Sequence, residues 1–117
     1  MIRNETRGAL LATAERYARN PWTRFLGLMG RRNLPAGEAL VFPGEKSVHT
    51  HFMRFPIDVV FYDRDGVVIE VAHALRPWRF SAIKWTAAGL IELPAGTARA
   101  TSTQIGDRLN LSPSNLA

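Results

Sequence analysis

The sequence contains no cysteine, which excludes a disulfide scaffold, a thiolate nucleophile and any zinc site built on sulfur. That fits a reducing compartment. Lysine is scarce as well: thirteen of the fifteen basic residues are arginines, leaving only Lys46 and Lys84. Arginine presents a planar fork suited to phosphate or carboxylate, so an anionic partner stands beside the plainer reading of a solvated arginine-rich face. No apolar run approaches the ~20 residues of a membrane-spanning helix. Near the N-terminus the apolar stretch ALLATA, residues 9–14, lies between charged flanks and is shorter than the ~7–15 residues of a signal-peptide core. A cytoplasmic protein without a membrane span is therefore expected. No Gly-x-Ser-x-Gly elbow, RNP motif, helix-turn-helix pattern, internal repeat or low-complexity tract is present.

A chain of 117 residues suits one domain, and residues 1–117 are read as such. At that length roughly two-thirds of the unfolded surface can be buried. A hydrophobic fraction of 46% against 21% charged favours a globular core over disorder. The net charge of +5 is concentrated: residues 1–32 hold seven Arg and two Glu, whereas the remainder has eight basic and eight acidic residues. A nucleic-acid-binding module using the arginine-rich N-terminal region is thus one alternative, although the balanced remainder argues against it.

Periodicity then divides the chain. Asn4–Gly8 reads as a turn joining a short first strand to ALLATAERYA, which is helix-compatible but is read here as the second arm of a hairpin. Asn20 can cap a helix, Pro21 suits its first turn, and Gly30 can end it. Between them Trp22, Phe25, Leu26 and Met29 form one apolar face. From residue 38 the period changes to two. Strands are expected within EALVFPG (38–44), where Pro43-Gly44 stops the run, and over 47–55 and 57–62, then over 67–75 beyond the Asp63–Gly66 turn. RPWRFSAIKWT reads as an irregular crossing, followed by short strands in GLIELPAG (89–96), 98–104 and 107–112 between Pro/Gly breaks. The fold class is mainly β: a small antiparallel sandwich or barrel with one short N-terminal α-helix.

Five blocks in this order carry a resemblance: GLMGR (27–31), ALVFPG (39–44), HTHFMRFPIDVVFYDRDG (49–66), LIELPAG (90–96) and IGDRL (105–109). Together they resemble the bacterial and archaeal family called domain of unknown function 192, over nearly the whole chain. In the middle block an aromatic-Met-basic run precedes Pro-Ile-Asp, here Phe52-Met53-Arg54 and Pro56-Ile57-Asp58. A common family version places Asn-Thr after the basic residue; Phe55 stands there instead. Many relatives carry an export signal or lipid anchor, which this chain is read as lacking. The resemblance implies a jelly-roll-like β-sandwich and no particular reaction.

Candidate chemistry concentrates in HTHFMRFPID (49–58). Strand alternation would put His49, His51 and Met53 on one face and Thr50, Phe52 and Arg54 on the other. Paired imidazoles two residues apart can chelate a metal, so a metal-dependent enzyme using His49 and His51 is the main rival reading. It needs a third ligand, with His73, Asp58, Glu70 and Asp107 as candidates. Asp58 would need a partner if buried, and Arg54 is nearby in sequence. Either histidine could act as a base, but only Thr50 or Ser47 could serve as a nucleophile, and no catalytic residue is assigned. The favoured reading is a non-enzymatic module binding an unknown small molecule or anionic ligand. Its site residues are His49, Thr50, His51, Arg54 and Asp58, with Arg31 added because it closes GLMGR. No cofactor is assigned. Arg76-Pro77-Trp78-Arg79-Phe80 is the best local patch for nucleic acid. Asp107 is read as a turn acceptor, and Glu92 as either solvent-facing or the buried partner of an arginine.

Overall fold

Two β-branched runs flank Asp63–Gly66, and they form the expected hairpin in a computed structural model describing residues 1–18, 20, 33–51 and 53–111. Its arms are β5 (Ile57–Tyr62) and β6 (Val68–Leu75), paired antiparallel. The turn is closed by Asp63, whose Oδ1 accepts the N–H groups of Asp65 and Val67 at 2.9 Å each. Gly66 has φ 80°, and a Cβ there would meet the Leu109 carbonyl oxygen at 2.9 Å. Glycine is required on both counts.

Around this hairpin the chain builds two sheets. The first has three strands in the order β2-β1-β8, with β1 at Ile2–Asn4, β2 at Ala9–Ala12 and β8 at Leu109–Asn110. The second has five, ordered β3-β4-β7-β5-β6, adding β3 (Ala14–Tyr17), β4 (Glu38–Pro43) and β7 (Gly89–Pro94). Neither sheet closes into a barrel among the described residues. The hairpin reading of the N-terminus holds, since β1 and β2 pair antiparallel.

β5 and β7 lie inside the larger sheet, covered on both faces, which explains their nearly continuous apolar sequence. One face carries Val41, Val60, Ile91 and Leu93, packed with Ile2, Leu11 and Leu109 of the smaller sheet. The other carries Phe42, Ile57, Val59, Phe61 and Leu90, covered by Leu34, Met53 and Ala87.

Three expectations need correction. β3 and β4 run parallel, so the larger sheet is mixed. The stretch from Ala18 to Gly37 exceeds the dozen or so residues a parallel crossover requires. Residues 98–104 are not a strand: Thr97–Ala100 form a short helix, α1, and the Thr101 hydroxyl donates back to the Thr97 carbonyl. Such local hydroxyl bonds divert the backbone from a ladder. Among the described residues of 47–55, strand pairing is confined to a bridge between His49 and Phe80. The helix expected between Asn20 and Gly30 falls on residues 21–30, which lie outside the described residues.

Asp58 joins these parts. It is fully buried on β5. Its Oδ1 accepts the N–H of Ala74 at 2.8 Å, and its Oδ2 accepts those of Gly96 at 3.1 Å and Ala98 at 2.9 Å. Ala74 has φ 48° and Gly96 φ 95°, so the carboxylate holds a strained bend in β6 and the start of α1 together. Replacing it by alanine leaves three inward N–H groups without an acceptor. Asp58→Ala is therefore expected to lower unfolding free energy by about 3–5 kcal/mol, read by urea denaturation at neutral pH. A loss within ~1 kcal/mol, the size of a single net hydrogen bond, would show that Asp58 is not this tie.

Candidate functional site

Val48 to His51 alternate in burial, with Val48 packed against the cluster around Phe42, Phe61 and Leu90, His49 exposed, Thr50 fully buried and His51 half-buried. This segment lies beside residues 78–84: His49 bridges Phe80, Ser81 N–H donates to Val48 O at 2.8 Å, and Lys84 N–H to Lys46 O at 2.7 Å. Thr50 is the hub. Its hydroxyl donates to Arg76 O at 2.5 Å and accepts from Arg79 N–H at 2.8 Å. Its own N–H donates to Arg79 O at 2.8 Å, and its carbonyl accepts Trp78 N–H at 2.9 Å. Trp78 sits at φ 63°, a conformation that a non-glycine residue holds only when its surroundings over-determine it. These bonds supply that constraint.

The clamp presents rings outward. His51 lies 5.3 Å from Trp78 edge-on and 4.7 Å from Phe80, and the two histidine rings are 5.4 Å apart. Arg76 and Arg79, whose backbones Thr50 grips, are exposed. Neither pairs with a carboxylate among the described residues. Exposed aromatics beside uncompensated guanidinium groups form a surface able to meet an anion bearing an apolar or planar part.

The nominated residues separate accordingly. His49, Thr50 and His51 belong to this surface, with Thr50 as its internal support. Arg54 is exposed and forms no ion pair with Asp58, which is occupied by backbone N–H groups. Met53 turns into the core instead of sharing the histidine face. Arg31 lies outside the described residues. Among the described residues no His, Asp or Glu joins the histidine pair as a third metal ligand. A separate cleft of about 430 Å³ lies at the opposite end of the β5–β6 hairpin, lined by Glu5, Asp63, Arg64 and Arg108. It contains none of the nominated residues.

Comparison with known proteins bears on the family. The sequence profile of domain of unknown function 192, described as Uncharacterized ACR, matches residues 2–111. The chain belongs to this family. A UPF0127 protein of Pyrococcus furiosus is 39% identical over 112 residues, covering 91% of this chain and 93% of that one. The fold is similar to that of a protein of unknown function from Novosphingobium aromaticivorans, with TM-score 0.78 and 21% identity over 93% of this chain and 81% of the other. It is also similar to a Sinorhizobium meliloti protein proposed to be a transcription regulator, with TM-score 0.72 and 27% identity, covering 82% of this chain and 79% of that one.

The family blocks meet through structural bonds: Asp58 of the middle block accepts Gly96 N–H from LIELPAG. Asp107 of IGDRL accepts from Asn4 Nδ2 at 2.9 Å, Arg7 Nε at 3.0 Å and Gln104 N–H at 3.0 Å. Burial alone would raise the Asp107 carboxyl, but hydrogen bonds from Arg7, Asn4 and Gln104 outweigh it and hold the group below the usual range. The turn role expected for Asp107 is thus one part of a wider anchor. No helix among the described residues is long and apolar enough to cross a membrane.

Glu92 does not face solvent, and among the described residues no arginine forms an ion pair with it. It is buried on β7 between Leu40 of β4 and Val59 of β5, and its Oε1 has no hydrogen-bond partner among the described residues. Burial pushes its carboxyl from 4.5 up to about 8. Below pH 4.5 both folded and unfolded chains hold the proton. As pH rises toward 8, the unfolded chain releases it while the folded chain retains it, so stability falls by roughly 1.4 kcal/mol per pH unit. Glu92→Gln is therefore expected to stabilise the protein at pH 8 and to lose that advantage near pH 4.5. Parallel pH profiles of Tm for the two proteins would contradict the assignment.

Proposed function

We propose that the protein is a non-enzymatic binding module, a single-domain, jelly-roll-like β-sandwich whose contact face is the surface clamped by Thr50. In this reading His49, His51, Trp78 and Phe80 meet the apolar or planar part of a small anionic ligand, and Arg76 and Arg79 meet its charge. The carrying observation is Trp78 at φ 63°, held there by Thr50 beside two exposed arginines that pair with no carboxylate among the described residues. Strain maintained at an exposed aromatic costs stability and is characteristic of sites that bind. Arg54 follows on the same segment and joins the basic rim. Asp58 is assigned to the support of the fold and leaves the binding set. The description of the Sinorhizobium protein as a proposed transcription regulator favours a second reading, a nucleic-acid partner at the same face.

Titration of isotope-labelled protein with inorganic phosphate, citrate and adenosine monophosphate tests both readings by residue-resolved NMR shifts. Saturable shifts centred on His49, His51, Trp78 and Arg79 are expected with at least one anion. Arg79→Ala should weaken that binding about tenfold, the loss of one charge-assisted contact. Shifts absent from this face with every anion would remove the small-anion reading. Steeply salt-dependent binding of an oligonucleotide at the same residues, without response to the small anions, would favour the second.

A further inference from the structure

The contact face extends beyond what a small anion requires. Between residues 78 and 85, Trp78 is 53% exposed, Phe80 76%, Ile83 51% and Trp85 75%. Four large apolar side chains thus face solvent along eight residues, whereas isolated exposed apolar residues are the usual case. Arg76, Arg79 and Lys84 are interleaved with them, and no acidic residue occurs from Val71 to Ile91. Lys84 lies 3.9 Å from Glu70 at the margin, while the two arginines have no such partner among the described residues. The segment is tied to residues 46–50 by backbone hydrogen bonds at Arg79, Ser81 and Lys84 and by the His49–Phe80 bridge.

From this combination we infer that the 78–85 segment docks on an anionic lipid surface, with the apolar side chains entering the headgroup boundary and the cations meeting lipid phosphates. The inference rests on the reading of this face as the contact surface and names the source of its anion. Tryptophan and other large apolar side chains gain most where one end meets hydrocarbon and the other water, and flanking basic residues add attraction to negative lipids. Single-stranded nucleic acid fits less well. Stacking needs ring faces open to successive bases, but His51 meets Trp78 at 79° and Phe80 at 53°, and Ile83 offers no ring. A second copy also fits poorly, because a two-fold contact would oppose Arg76, Arg79 and Lys84 with the same charges.

The full chain should be tested by co-sedimentation with phosphatidylcholine vesicles, with and without phosphatidylglycerol. Each cation near a negative surface favours binding about fivefold, so three predict a preference on the order of a hundredfold for the anionic vesicles. Tryptophan emission should shift to the blue on binding, and high salt should reverse it. The double variant Ile83→Ser/Trp85→Ser alters side chains outside the His51 ring cluster. It should lose vesicle binding while keeping the small-anion response of His49 and His51. Failure to bind anionic vesicles, equal binding to both vesicle types, or undiminished binding by the double variant overturns the inference. Selective binding of an oligonucleotide in place of vesicles overturns it too. Persistence of the small-anion shifts in any of those cases leaves the binding face standing; their absence as well removes both.

Discussion

The Asp58 carboxylate is the contact on which the rest of the architecture turns. A buried anion is tolerated only when its lone pairs are met, and here three backbone N–H groups from two other segments meet them. One oxygen fixes the bend at Ala74, and the other fixes the entry to the helical turn after β7. The bend decides where the chain leaves β6 and therefore where residues 76–80 begin to cross toward Thr50. A polar group inside the fold thus sets the position of a surface outside it.

Thr50 repeats the principle on a smaller scale. Its side chain and backbone together bind Arg76, Trp78 and Arg79, so a short stretch with one ladder bridge behaves as a rigid support. The apolar rings and arginines above it remain exposed because the inward positions are already filled by Val48, Thr50 and Met53. Elsewhere the fold carries a different kind of cost. Glu92 places an unpartnered carboxyl oxygen in the interior, and its energetic consequence is a stability that declines as the solution becomes more alkaline.

The β5–β6 hairpin was legible in sequence because Asp63–Gly66 and two β-branched runs agree with the tertiary pairing. Strands β4 and β7 were legible for the same reason. The parallel pairing of β3 was not, since direction depends on a long connection that no local pattern reports. Residues 98–104 read as a strand because they lie between Pro/Gly breaks, but long-range acceptance by Asp58 and local hydroxyl bonds give a helical turn. In the candidate site, the period-two reading put His49, His51 and Met53 on one face; the two histidine rings do lie 5.4 Å apart, but Met53 turns into the core. Asp58 was recognised as an acid needing a partner, yet its partners are main-chain groups distant in sequence. The signal for Trp78 and Phe80 lay in an aromatic, acid-free crossing, but only the structure brings that crossing beside the histidines.

The central claim is that Asp58 supports the fold while Thr50 supports the contact surface. Residue-resolved hydrogen exchange on Thr50→Val tests it most directly, because valine preserves shape and removes the hydroxyl. The account predicts exchange faster by about 10- to 100-fold at Arg79, with a smaller rise at Trp78, from the loss of a buried acceptor. Protection at Ala74, Ala98 and the amides of β5 and β7 should persist. A uniform rise across β5 and β7, or unchanged exchange at Arg79, would contradict the separation of the two roles.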